Sequence, residues 1–376
     1  MKPQRVLQVA TIMNRGGLET MLINYMRRID RERVQFDFLV HREERGHYDD
    51  EIESLGGRIF RMPAIQPGHY GAYFRKLESF FREHPEYRVV HAHINENSGF
   101  VLRAAKLAGV PCRIAHSHLS DLGLDFKLPF RLYARQALKG QPNYYFACSE
   151  NAGRWLFGRG KPVHVMNNAV NVEEFRFDPD ARGTVRAELE GDGRLVVGHI
   201  GRFNKQKNHE GLLDIFAALR ERRPDALLVM AGDGPLRPAM ERKAERLGLA
   251  GHVRFLGVRS DIPRLLQAFD LFLFPSLFEG LPVVLVEAQA AGLPCFVSDT
   301  ITREADATGR VTFIGLKTSP AAWASRILSA ALTRQDASAQ LAARGYDAGR
   351  MAAWLADFYT GQAMAAQESD AGGRRA

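Results

Sequence analysis

A chain of 376 residues, 45% hydrophobic and 25% charged, is too long for one ordinary core and reads as two globular domains. It lacks the run of roughly 20 apolar residues that would cross a membrane, and its three cysteines, Cys112, Cys148 and Cys295, are too few and too widely spaced for a disulfide framework or a cysteine-held metal. Of the net charge of +8, residues 1–173 hold +7 (25 basic, 18 acidic) and residues 174–376 hold +1 (26 and 25), which favours a phosphate or anionic-lipid partner for the first half; no binding motif or dense basic run supports nucleic acid.

The apolar run 6–10 predicts a parallel strand. It follows Lys2 and Arg5 but passes into Asn14-Arg15-Gly16, so it is a first strand and not a signal peptide; with reduced thiols, a cytoplasmic protein is expected. Gly16 and Gly17 open a helix to about residue 29. A glycine pair there lets the backbone approach an anion at a helix N-terminus. It is not the dinucleotide G-x-G-x-x-G, which argues against a dehydrogenase. Strands at 36–40, 58–60, 89–91, 113–115 and 144–148 alternate with helices near 48–55, 71–83, 98–108, 128–138 and 149–157, a doubly wound α/β domain. Its strand ends carry His91, His93, His116 and His118, without the cysteine or carboxylate that would complete a zinc set. Residues 119–139 mix Phe126, Leu128, Phe130, Leu132 and Tyr133 with Lys127, Arg131, Arg135 and Lys139. This pattern is that of a packing helix with basic outer residues, or of a membrane-surface patch.

Residues 161–180 are polar and turn-rich, and the domain boundary is expected there. Asp178-Pro179-Asp180 reads as a turn. Strands at 195–200, 226–231, 253–255, 271–274, 295–298 and 311–314 then alternate with helices to about 333. In the loop after the first of them, Arg202 and Lys207 precede Asn208, a helix cap. Two cations beside a helix N-terminus suit a pyrophosphate and would steady a departing nucleoside diphosphate without a metal. The apolar strand 271–274 leads into Phe278-Glu279-Gly280-Leu281-Pro282 and a helix through Glu287. Glu279 and Glu287 have no lysine or arginine close in sequence, and such carboxylates suit sugar hydroxyls. The alanine-rich pattern at 338–364 holds Met351, Trp354, Leu355, Phe358 and Tyr359 at helical spacing, and the residues after it read as a disordered tail.

The order of these motifs resembles glycosyltransferase family 4, retaining enzymes of the two-domain GT-B fold, and is most similar to capsule, exopolysaccharide and O-antigen members. It is carried by NRGGLET at 14–20, HAHINENSG at 91–99, IAHSH at 114–118, ACSE at 147–150, NNAVNVEEF at 167–175, GRFNKQKNHE at 201–210, AGDGP at 231–235, FLGVRSDIPRLL at 255–266 and FPSLFEGLPVVLVEAQAAGLPCFVSD at 274–299. The resemblance implies two Rossmann-like parallel-sheet domains facing a central cleft: an acceptor domain 1–173 and a donor domain 174–345. A helix 346–366 is expected to return to the first domain, and 367–376 to form the tail. It also implies Arg202 and Lys207 on the donor diphosphate, Glu279 on the donor sugar and Glu287 on the ribose. Backbone near Gly280 and Leu281 would meet sugar and phosphate, and Gly16 and Gly17 the phosphate from the first domain. An active-site histidine at the fifth strand is His116 or His118, with His118 preferred. The implied reaction transfers a sugar with retention from a nucleotide diphosphate sugar, UDP-linked, to a hydroxyl of a glycan or lipid-diphosphate-linked acceptor. It needs no metal or cofactor and takes place in the cytoplasm or at the inner membrane face. Other readings are a nucleotide-sugar 2-epimerase, a phosphorylase (which no motif supports) and a non-catalytic nucleotide-sugar-binding subunit.

Overall fold

The computed structural model describes residues 2–65, 70–119 and 128–373. The chain forms two units: Met1–Ala169 with Ala348–Ala376, and Val170–Asp347. The chain thus leaves the first unit four residues before the expected boundary at 173.

The first unit is a seven-stranded sheet of β1 (Gln4–Ala10), β2 (Val34–Val40), β3 (Ile59–Arg61), β4 (Val89–Ala92), β5 (Cys112–Ser117), β6 (Tyr144–Ala147) and β7 (Val163–Val165), in spatial order β3-β2-β1-β4-β5-β6-β7. All its pairs are parallel. The second unit holds β8 (Val196–Ile200), β9 (Leu227–Ala231), β10 (Val253–Phe255), β11 (Leu271–Phe274), β12 (Cys295–Ser298) and β13 (Val311–Ile314), in order β10-β9-β8-β11-β12-β13, again wholly parallel. Parallel strands covered on both faces are apolar along their whole length, as β9 and β11 are, each buried at every residue. In each sheet the order turns back on itself once, between β1 and β4 and between β8 and β11. Loops leaving those strand ends diverge and open a crevice.

Three local expectations are corrected. Residues 163–165 form β7, within the segment read as irregular. Asp178-Pro179-Asp180 is no isolated turn: Asp178 Oδ1 accepts from Asp180 N (2.9 Å) and Ala181 N (3.0 Å) and caps the helix Pro179–Glu188, where Pro179 sits at the tolerant first position. The third concerns the C-terminus, where Ser338–Ala343 and Ala348–Gly373 are helices on either side of Gly345, the second starting two places after the expected 346. The second runs to Gly373, so residues 367–373 are helical where a disordered tail was expected. Its Ala352, Leu355, Ala356 and Tyr359 are buried in the first unit's core with Val6, Phe36, Phe38 and Phe146. Among the described residues, no helix is long and apolar enough to cross a membrane.

Candidate active site

In the second unit, β8 and β11 are neighbours at the switch point, so the loops after them lie side by side. Side-chain hydrogen bonds shape the first loop. Asn204 Oδ1 accepts from Lys207 N (3.2 Å) over the short helical turn Lys205–Lys207. Asn208 takes a left-handed φ of 53°, and its Oδ1 accepts from Gly211 N (3.3 Å) to cap the helix His209–Arg222. Its Nδ2 donates to Pro275 O (3.0 Å), and Leu277 N donates to Gln206 O (2.8 Å), tying the two loops together.

The tie carries charge. Lys207 Nζ lies 2.7 Å from Glu279 Oε1, Gln206 Nε2 donates to Glu279 Oε2 (3.1 Å), and the ammonium sits 4.6 Å from the centre of the Phe274 ring. The two side chains are only 15% and 7% exposed. Glu279 therefore has a basic partner after all, 72 positions away, beyond what sequence neighbourhood reveals. Arg202 is exposed and makes no ion pair among the described residues.

Pro282 is the N-cap of the helix Val283–Ala290, and no side chain caps that end. Gly280 and Leu281 lie just before it. Glu287, the fifth residue of the helix, is half-buried and has no side-chain partner among the described residues. Burial, and secondarily repulsion from Glu174, push its carboxyl up to about 7.

In the first unit, Gly16 caps the helix Gly17–Arg28 with extended backbone and no side-chain cap. The space a side chain at Gly16 would fill is taken by the helix's own Glu19, whose Oε2 would stand 2.2 Å from a Cβ there. Burial raises the pKa of that carboxyl. A carboxylate of the chain itself thus lies at the turn read from sequence as open to an external anion.

The four histidines gather at the β1–β4–β5 end of the sheet. His93 Nδ1 lies 3.0 Å from His118 Nε2, and His91 Nε2 lies 3.1 Å from His116 Nδ1. His93 Nε2 reaches Gln8 Oε1 (2.9 Å), and His91 Nδ1 reaches the Tyr359 hydroxyl (2.6 Å). The ligand atoms of His91, His93 and His116 lie within 4.8 Å of one another, but every ring nitrogen of the three except the buried His116 Nε2 is already hydrogen-bonded. Burial lowers the pKa of all four rings, that of His118 to about 3. His118 is half-buried, and the other three are enclosed.

The family description "Glycosyltransferase Family 4" matches residues 15–174, and "Glycosyl transferases group 1" matches residues 183–346. The chain is 41% identical over 370 residues to "Putative glycosyltransferase EpsF" of Bacillus subtilis (strain 168), covering 95% of this chain and 96% of that one. The chain belongs to glycosyltransferase family 4. A further relative of this glycosyltransferase is the UDP-Gal:alpha-D-GlcNAc-diphosphoundecaprenol alpha-1,3-galactosyltransferase of Escherichia coli, 30% identical over 57% of this chain and 58% of that one. Among solved structures, Anabaena Alr3699/HepE in complex with UDP aligns over 100% of both chains with a TM-score of 0.73 at 20% identity. WaaG, a glycosyltransferase involved in lipopolysaccharide biosynthesis, aligns over 96% of this chain and 98% of its own, with a TM-score of 0.67 at 15% identity. With the two parallel-sheet units, these likenesses establish the GT-B fold.

Of the site residues read from sequence in this glycosyltransferase, Arg202, Lys207, Glu279, Gly280, Leu281 and Glu287 stand in the second unit, and Gly16, Gly17 and His118 in the first. Lys207 and Glu279 touch. Sequence reasoning missed Gln206 and Asn204, which shape that contact, and Gln8 and Tyr359, which brace the histidines. Gln8 had a visible signal, a polar residue inside an apolar strand. Tyr359 had none, since 268 positions separate it from His91. Phe126 and Lys127 of the basic aromatic segment lie outside the described residues. Phe130 packs against Phe100, with ring centres 6.2 Å apart.

Proposed function

We propose that the chain is a retaining transferase that moves a sugar from a UDP-linked donor to a hydroxyl of a glycan or lipid-diphosphate-linked acceptor during assembly of a bacterial surface polysaccharide. The Lys207–Glu279 pair at the β8–β11 switch point carries the reading. It sets an ammonium and a sugar-binding carboxylate side by side, where a phosphate and a pyranose of one donor molecule could each find a partner. Arg202 and Lys207 hold the diphosphate, Glu279 the transferred sugar and Glu287 the ribose, with the backbone at Gly280 and Leu281 and the open end of the helix Val283–Ala290 lending further donors. Gly16 and Gly17 form the phosphate turn of the acceptor unit once the Glu19 side chain that lies over Gly16 swings aside, and His118 is its active-site histidine.

The bond from the anomeric carbon to the diphosphate oxygen breaks as the acceptor oxygen attacks the same face, and the leaving phosphate takes the acceptor proton. Lys207, Arg202 and the helix dipole stabilise the departing charge, so neither metal nor cofactor is required. The UDP reading draws support from Anabaena Alr3699/HepE, solved with UDP and with UDP-glucose. The lipid-diphosphate reading draws on the named substrate of the Escherichia coli relative. Leu119, Leu132 and Tyr133, 49–58% exposed beside Arg131 and Lys139, provide a peripheral contact with the inner membrane face of a cytoplasmic enzyme. That contact is ruled out if the protein ignores anionic vesicles at low salt.

Thermal shift against a set of nucleotide sugars and free diphosphates, with wild type and Lys207→Ala, tests the donor site. A rise in melting temperature for one UDP-sugar, absent in the variant, is expected. No response to any nucleotide sugar overturns the assignment.

A further inference from the structure

We propose that Gln8 is a positioning residue that sets the tautomer of His118 through His93. The inference rests on the reading of His118 as the active-site histidine.

Gln8 lies in β1, in register with His91 of β4, and is fully buried. Its amide hydrogen-bonds to both branches of the histidine cluster. Its Oε1 stands 2.9 Å from His93 Nε2, and its Nε2 stands 3.4 Å from the Tyr359 hydroxyl. A carbonyl oxygen only accepts, so His93 carries its hydrogen on Nε2. A neutral imidazole has one N–H, which leaves His93 Nδ1 as an acceptor, and His118 Nε2 must donate to it. The lone pair of His118 is therefore on Nδ1, which has no partner among the described residues.

The other branch follows from the same amide. Its NH2 donates to the Tyr359 oxygen, Tyr359 donates to His91 Nδ1, and His91 Nε2 donates to His116 Nδ1. Turning the amide over would reverse every proton in both branches. Burial keeps the four rings neutral, so no second N–H blurs the polarity. Only His118 reaches the surface, where the choice between lone pair and N–H decides whether it accepts from a substrate hydroxyl or donates to one.

Protein labelled with 15N at histidine reads the tautomer of each ring by long-range 1H–15N correlation. In wild type, His118 and His93 are expected as Nε2–H forms. Gln8→Leu should turn the His118 signal into a tautomer average and lower kcat by roughly ten- to a hundredfold, with the donor KM little changed. Tyr359→Phe should leave the His118 tautomer as in wild type. If Gln8→Leu does not fold, Gln8→Met serves in its place. An Nδ1–H form of His118 in wild type, or an unaltered His118 tautomer without Gln8, overturns the proposal. Full turnover in His118→Ala, with the tautomers as stated, would instead remove the active-site reading and leave the hydrogen-bond chain standing.

Discussion

Lys207 and Glu279 meet at 2.7 Å across the two loops that leave β8 and β11, with little of either side chain exposed. Removing one partner strands the other in a poorly hydrated place. Lys207→Ala should cost about 3 kcal/mol and lower the melting temperature of the second unit by about 6–12 °C. Glu279→Gln should cost less, because the amide keeps an acceptor for Gln206 and the lysine stem can turn toward water. The double variant should recover part of the loss, with a coupling of about 1–3 kcal/mol. Scanning calorimetry of the four proteins checks this; strictly additive losses would mean that the pair does nothing for stability. Both single variants should abolish sugar transfer.

Arg202 makes the opposite prediction. It is exposed and has no ion pair among the described residues, so folding does not depend on it. Arg202→Ala should leave the melting temperature within about 1 °C while weakening nucleotide-sugar binding by roughly tenfold or more at low salt. The difference from wild type should shrink as salt rises. Titration calorimetry at two ionic strengths measures it, and equal affinities at low salt would take Arg202 out of the diphosphate site.

What could be read in advance follows a physical divide. Doubly covered strands such as β9 and β11 are apolar throughout, and glycine and proline mark their ends, so both sheets were legible. β7 was not: it has three residues and is partly exposed, so it lacks a buried pattern. The helix Pro179–Glu188 buries only Val185 and Arg186, which leaves almost no apolar stripe to read. Arg202, Lys207 and Glu279 were picked out as residue types in the loops after β8 and β11, and Glu287 as a carboxylate on the helix that follows. That Glu279 is held by Lys207, and that Glu19 lies over Gly16, are facts of loop and rotamer geometry that no spacing encodes.

Glu287 should make both stability and donor binding depend on pH. Its carboxyl is raised from 4.5 to about 7, so between those values the folded chain keeps a proton that the unfolded chain gives up. Stability should fall as pH rises through this window and stay level above it. Glu287→Gln should remove that slope. A ribose hydroxyl donating to Glu287 favours the ionised form, so donor binding should release a proton and strengthen as pH rises toward about 7. Calorimetry in two buffers of different ionisation heat counts the proton. Equal release from wild type and Glu287→Gln would show that the nucleotide does not meet this carboxylate.

Gly232 offers a test of the basic loop from outside it. The turn after β9 packs on the loop after β8: Gly201 N donates to Ala231 O and Phe203 N to Asp233 O, each at 3.0 Å. Gly232 has φ +132°, and a Cβ there would lie 2.1 Å from Gly201 O. The contact is backbone on backbone, so no side chain can swing away, and the segment bearing Arg202 must shift. Gly232→Ala should therefore cost about 1–3 kcal/mol and weaken donor binding although residue 232 carries no donor-binding side chain. Gly248→Ala separates the two effects. Its φ is +66° and nothing lies within 4 Å of a Cβ there, so it adds backbone strain alone and should lower stability by about 1 kcal/mol. Its donor affinity should stay that of wild type. A Gly232→Ala protein that binds the donor as wild type does would mean that the position of the Gly201–Phe203 backbone does not govern the diphosphate site.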